Sequence, residues 1–160
     1  MIILGIDPGT ATTGFAIVNK TKKRIKVIKY GCIETSPNLV PGERLKIINN
    51  ALNKLIRKYK PKVLAVENVY FFKNLKTAMP VSQAKGVILL TAAKKKIPVY
   101  EFTPLQVKMT VVGYGKAEKK QVQKMIKVLL NLKEVPKKDD AADALGVALC
   151  CALKPKTKTN

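Results

Sequence analysis

Hydrophobic residues follow two alternating rhythms along this chain. The first six residues, Met1-Ile2-Ile3-Leu4-Gly5-Ile6, are apolar except for Gly5. A run without polar alternation suits a strand covered on both faces, in the middle of a sheet. Asp7-Pro8-Gly9 should end it, since proline cannot extend a central ladder and glycine invites a tight turn. Thr13 to Val18 reads as a second strand, close enough to the first to form an antiparallel hairpin. Ile25 to Tyr30, continuing to Cys32 and Ile33, reads as a third, edge-like strand with lysines facing water. The period then lengthens. Leu45, Ile48, Leu52, Leu55 and Ile56 recur at helical spacing between Gly42 and Lys60, and Pro61 stops that helix.

Lys62 to Glu67 repeats the design of the first strand, apolar until it ends in an acid. A strand–helix–strand connection returns parallel and right-handed in nearly all cases. Placed beside the first strand, this one sets Asp7 and Glu67 at neighbouring carboxyl-terminal strand ends, the edge where open α/β sheets hold ligands. Thr77 to Lys95 reads as a second helix, with Pro80 near its start or kinking it. Ile97 to Phe102 is a short fifth strand. Pro104 to Val111 reads as a short helix. Lys119 to Leu132 is a basic amphipathic helix, and Asp139 to Leu153 is the last one. The pattern predicts a single α/β domain over residues 1–153, with a basic, disordered tail from Lys154 to Asn160.

Composition narrows the chemistry. The chain has 160 residues, enough for one domain with a full core. No apolar run approaches the ~20 residues of a membrane span. Asp7 interrupts the N-terminal apolar run and no basic stretch precedes it, so no signal peptide is expected. Three cysteines without a CxxC pair read as reduced cytosolic thiols. Histidine is absent, which excludes Ser-His-Asp and Cys-His catalysis and His-ligated zinc. A net charge of +21, from 31 Lys+Arg against 10 Asp+Glu, points to a polyanion partner, most simply nucleic acid.

Against that charge the aspartates stand out. Only four exist, Asp7, Asp139, Asp140 and Asp143. In a helix, residues three or four apart share a face, so spacing pairs Asp143 with either Asp139 or Asp140. Capping accounts for an acid in the first helical turn. It accounts less well for Asp143, one turn further among alanines. Taken alone, Asp7 is equally a solvated strand-end acid that assists its turn. Four converging carboxylates without a counter-ion would repel one another and raise their pKa values. A divalent cation such as Mg²⁺ or Mn²⁺ relieves this, and two such ions ~4 Å apart can activate water for phosphodiester hydrolysis.

Five blocks in order carry a resemblance. They are Gly5-Ile6-Asp7-Pro8-Gly9 with Thr13-Gly14, Ala65-Val66-Glu67-Asn68-Val69-Tyr70, Val107-Lys108-x-Thr110-Val111-Val112-Gly113, Ala117-Glu118-Lys119 with Gln121-Val122, and Asp140-Ala141-Ala142-Asp143-Ala144-Leu145. The first block alone also suits an ATP-binding lobe of the sugar-kinase and heat-shock type, although such proteins need two lobes around the nucleotide. Together the blocks resemble the RuvC family of Holliday junction resolvases. That resemblance implies an RNase H-like fold with a mixed five-stranded sheet, its first three strands antiparallel and the rest parallel, flanked by helices. It implies a homodimer that cuts strands of like polarity at a four-way junction, leaving 5′-phosphate ends, with a preference for T-rich sites. It makes Asp7, Glu67, Asp140 and Asp143 the catalytic, metal-binding tetrad for two Mg²⁺ ions, with Mn²⁺ as a substitute, and so selects Asp140 over Asp139. Lys108 and Lys119 fall where the family has basic residues near the scissile phosphate. General phosphate binding is the competing role for Lys108. Tyr70 falls where the family has a base-stacking aromatic; Phe71 and Phe72 follow it, and core or dimer packing suits one of them. A branch-migration complex of the RuvA/RuvB type is the implied partner, and the cytoplasm the implied location. One departure is the extra acid Asp139, which could bind metal weakly or cap the helix.

Overall fold

A computed structural model describes residues 1–68 and 75–154. Five strands and five helices follow in the order β1 (Ile2–Asp7), β2 (Thr12–Lys20), β3 (Ile25–Glu34), α1 (Pro41–Tyr59), β4 (Val63–Glu67), α2 (Leu75–Lys94), β5 (Val99–Phe102), α3 (Pro104–Val111), α4 (Lys119–Leu129) and α5 (Asp139–Leu153). They form one mixed sheet in the order β3-β2-β1-β4-β5. The β1/β2 and β2/β3 pairs are antiparallel, and the β1/β4 and β4/β5 pairs are parallel. This is the mixed five-stranded sheet that the hydrophobic pattern and the family resemblance led us to expect. Boundaries moved little. The basic helix stops at Leu129 rather than Leu132, and the long second helix begins at Leu75, so Pro80 lies inside it. The tail expected from Lys154 onward lies, after that residue, outside the described residues.

Strand parity builds two cores. Leu4, Ile6, Phe15, Ile17, Leu64 and Val66 face α1 and α2, where Ile48, Leu52, Ile56, Ala84 and Ile88 close the layer. Ile3, Ala16, Val18, Val63 and Ala65 face the other way, onto α3, α4 and α5. Successive side chains alternate between sheet faces. Asp7 therefore belongs with Ile3 and Gly5, and Glu67 with Val63 and Ala65, on the α5 face. The same parity puts Gly14 there, opposite Asp7 in the β1/β2 register.

Glycine at two of these positions lets α5 lie directly on the sheet. A methyl at Gly5 would overlap the Ala144 carbonyl and the Ala148 side chain, and one at Gly14 would overlap the Asp140 carbonyl. On the helix side the contact is made by alanines. Ala141, Ala142, Ala144 and Ala148 are all buried. Small residues on both partners thus bring the start of α5 against the carboxyl-terminal ends of β1 and β4.

Candidate active site

Two strand ends and one helix start converge. β1 ends at Asp7 and β4 at Glu67, on adjacent parallel strands whose register pairs Ile6 with Val66. Asp140 and Asp143 lie in the first two turns of α5. The turn after Asp7 is tied by hydroxyls. Thr13 Oγ1 donates to the Gly9 carbonyl (2.6 Å), Thr10 Oγ1 to the Pro80 carbonyl (2.5 Å) and Thr35 Oγ1 to the Thr10 carbonyl (2.6 Å). The start of α5 is fastened from outside by an ion pair between Lys138 and Glu34, at the end of β3.

Electrostatics show how crowded these acids are. Burial, then the charges of Glu67, Asp143 and Asp140 together with a hydrogen bond to Glu67, push the Asp7 carboxyl up to about 9 from an ordinary 3.8. Burial and the Asp143 charge raise Glu67 as well, while the hydrogen bond from Asp7 works the other way. Asp7 is therefore the carboxyl of the pair that keeps its proton at neutral pH when no cation is bound. Burial also raises Asp143, against the pull of Lys119.

Lys119 is the cation set among them. It is the first residue of α4, whose start is held by Gln121 Oε1 accepting from the Glu118 N–H at 2.8 Å. Its Nζ lies 3.1 Å from Asp143 Oδ2 and 3.2 Å from Asp139 Oδ2. Burial opposes the ammonium, but Asp143 and Asp139 outweigh it and hold the Lys119 pKa above 10.5. Asp139 differs from its neighbours. Its carboxylate is exposed and accepts from Gln123 Nε2 at 2.8 Å, and that bond and Lys119 lower its pKa.

The structure therefore brings Asp7, Glu67, Asp140, Asp143 and Lys119 to one edge of the sheet. Lys108 sits apart in the last turn of α3 and makes none of the ion pairs found among the described residues. Tyr70, Phe71 and Phe72 lie outside the described residues. Among the described residues no three acidic side chains already close on a single point at ion-holding distance. The donor set nevertheless suits a hard divalent cation. It offers only carboxylate oxygens, Asp7, Glu67, Asp140 and Asp143 are half-buried, and the ammonium of Lys119 pairs with Asp143.

Sequence reasoning passed over one polar cluster beside this edge. Lys85 Nζ, on α2, donates to Asn68 Oδ1 (3.0 Å) and Glu101 Oε2 (2.5 Å). The available signal was a lysine one position past Ala84, on the flank of a helix stripe that is otherwise apolar and inward-facing.

A mixed sheet of this order, with acids at the ends of its two central parallel strands and on the helix that crosses them, defines an RNase H-like domain with a carboxylate centre. Comparison with known proteins narrows this. The model of the family described as crossover junction endodeoxyribonuclease RuvC matches residues 3–151. The RuvC of Alkaliphilus metalliredigens is 55% identical over 152 residues, covering 95% of this chain and 93% of that protein. The one from Halothermothrix orenii is 51% identical over 150 residues, covering 94% and 91%. Among solved structures, Thermus thermophilus RuvC in complex with a Holliday junction substrate superposes with a TM-score of 0.88 at 33% identity, covering 94% of this chain and 92% of that one. The chain belongs to the RuvC family of crossover junction endodeoxyribonucleases.

Proposed function

We propose that this protein is a structure-selective endonuclease that resolves four-way DNA junctions in recombination and repair, by metal-dependent hydrolysis that leaves 5′-phosphate ends. One observation carries the mechanism: half-buried carboxylates gathered on one spot of a chain whose net charge is +21. The basic surface binds phosphates without regard to sequence. The acidic spot is where a phosphodiester would be repelled unless positive charge were supplied. Asp7, Glu67, Asp140 and Asp143 are the residues that would hold Mg²⁺, or Mn²⁺ in its place, and two ions per site suit four carboxylates. When bound, such ions lower the pKa of water and stabilise the leaving oxygen.

The chain's own residues do the rest. Asp7 would release its proton to solvent on binding such an ion, so that it and Glu67 would both face it as carboxylates. Lys119 releases Asp143 as the backbone arrives and turns its ammonium to a phosphate oxygen. Lys108, on α3, supplies a second ammonium for the strand. Tyr70 supplies an aromatic face on which a junction base can stack.

Cutting two strands in concert requires two copies. The outer stripe of α2 supports this. Met79, Gly86 and Leu90 recur at helical spacing, Met79 and Leu90 are 69% and 55% exposed, and a methyl at Gly86 would meet nothing within 4 Å. Apolar residues around a small one suit close packing of a second helix, so we assign this stripe to a homodimer. A branch-migration complex of the RuvA/RuvB kind would present the junction. Three free cysteines are in keeping with the cytoplasm, and no helix among the described residues is long and apolar enough to cross a membrane.

The test is a synthetic four-way junction with Mg²⁺ and cuts mapped on all strands. Paired cuts in strands of like polarity, with ligatable ends and no cutting of linear duplex of the same sequence, are expected. Equal cutting of junction and duplex, or no cutting at all, refutes the reading.

A further inference from the structure

We propose that Lys85 is a positioning residue for the carboxylate centre, acting through Asn68 on Glu67. The inference rests on the nuclease reading above. Glu67 is the last residue of β4, and Asn68 follows it at the strand end. The peptide that follows Glu67 therefore helps to set where its side chain is presented. Two contacts do so. The Asn68 N–H donates to the Phe102 carbonyl at 2.8 Å, which extends the β4/β5 ladder by one step. The Asn68 side-chain oxygen accepts from Lys85 Nζ at 3.0 Å. The same ammonium pairs with Glu101 Oε2 at 2.5 Å, on β5.

One charged group thus ties three elements, α2, the end of β4 and β5, at the point where a catalytic acid is presented. The Lys85 side chain is only 19% exposed, against 38% for Glu101. An ion pair on the open surface contributes little, but a shielded ammonium with two acceptors holds a defined geometry. Most other lysines among the described residues are exposed. Lys85 is turned inward, and phosphate binding does not account for it.

The consequence differs from that of losing a metal ligand or a phosphate contact. Without Lys85, Asn68 loses one side-chain partner but keeps its backbone bond, and Glu101 is open enough to hydrate. The fold should survive. Glu67 would be held less firmly, and displacement of a reacting group by ~1 Å can lower a rate by about 100-fold.

The experiment compares wild type, Lys85→Met and Lys85→Arg in full-length protein. Junction affinity is measured in Ca²⁺, the single-turnover cleavage rate at saturating protein, and the Mg²⁺ concentration giving half-maximal rate. For Lys85→Met we expect unchanged affinity, a rate lower by about 10- to 100-fold, and a half-maximal Mg²⁺ concentration several-fold higher. Arginine, which can serve both acceptors, should restore most of the rate. A Lys85→Met protein that cleaves like wild type overturns the proposal. So does one that loses junction affinity in proportion to rate, which would make Lys85 a DNA contact. Should Lys85→Met not fold, Glu101→Gln, which weakens the same tie more gently, must show the raised Mg²⁺ requirement or the proposal fails. If wild type itself leaves junctions uncut, the nuclease reading has failed and not this inference alone.

Discussion

Replacing Asp7 with asparagine should make the metal-free protein more stable while abolishing cleavage. The substitution keeps the shape of a protonated carboxyl and its hydrogen-bond donor to Glu67, and removes only the ability to ionise. In the folded protein without metal, Asp7 holds its proton to about pH 9, whereas an unstructured aspartate loses it near 3.8. Between those values the folded chain carries a proton that the unfolded chain has released. Stability therefore falls as pH rises through that window, and the loss is complete above about 9. Each pH unit is worth up to ~1.4 kcal/mol for one such group. From pH 6 to 8 the ceiling is ~2.7 kcal/mol, and in a domain of this size that lowers Tm by about 5–10 °C. Glu67 and Asp143 are raised too, chiefly by burial, so their contributions to the pH dependence carry the same sign. Lys119 and the cysteines, raised from 10.5 and 9.0, stay in one ionisation state over this range.

Thermal unfolding in EDTA, followed by circular dichroism at several pH values, measures this. Wild type should lose Tm steadily from pH 6 to 8. Asp7→Asn should show a flatter slope and a Tm several degrees above wild type at pH 8. Saturating Mg²⁺ should reverse the order, because a ligand that binds only the folded state stabilises wild type more than a variant with a damaged site. Junction cleavage by the variant should fall ~10³-fold or more, as expected when several kcal/mol of charge stabilisation are lost. Junction binding should persist. A wild-type Tm that is flat from pH 6 to 8, or an Asp7→Asn protein less stable than wild type at pH 8 in EDTA, would refute the electrostatic reasoning.

Three further outcomes follow from the same geometry. Lys119→Met should lower single-turnover cleavage by about 10- to 100-fold and weaken junction affinity only slightly, since many lysines together set the binding and this one faces Asp143. Asp139→Asn should cleave within a few-fold of wild type, because that carboxylate is exposed and held by Gln123, whereas Asp140→Asn should be inactive; rates measured side by side on one junction decide it. Leu90→Glu, on the outer stripe of α2, should shift the protein to monomer in analytical ultracentrifugation while its far-ultraviolet circular dichroism stays that of wild type.

Much of the architecture could be read before any coordinates, and the reason is specific. Met1 to Ile6 and Val63 to Val66 lack polar alternation, and only central strands of a sheet covered on both faces look like that. The helical stripe of α1 and the prolines at 61 and 104 then fixed where the chain turned. Helix ends were less legible, because a frayed or tightened last turn leaves no hydrophobic mark, as at Leu129 against Leu132. Of the site, strand-end placement of Asp7 and Glu67 came from pattern alone. Which acid of the Asp139–Asp140 pair faces Asp143 did not, since both spacings are helical.

What stayed hidden has a common character. The glycines at 5 and 14 look like strand weakeners in sequence, yet their role is a distance: they let the backbone of α5 come close enough to place Asp140 and Asp143 beside two strand ends. Hydroxyl ties such as Thr13 to Gly9 and the Lys85 bridge to Asn68 and Glu101 are likewise agreements between segments far apart in the chain. Periodicity reports the environment of one segment at a time, so it cannot see them. The carboxylate centre is built from such agreements. Its acids are individually ordinary turn and cap residues, and they become unusual only when alanines and glycines let three elements close on one another. For that reason the sharpest evidence for the site is the close approach itself: Gly5 and Gly14 leave no room for a side chain under α5, and burial in that contact, then the neighbouring acids, raises Asp7, Glu67 and Asp143 together.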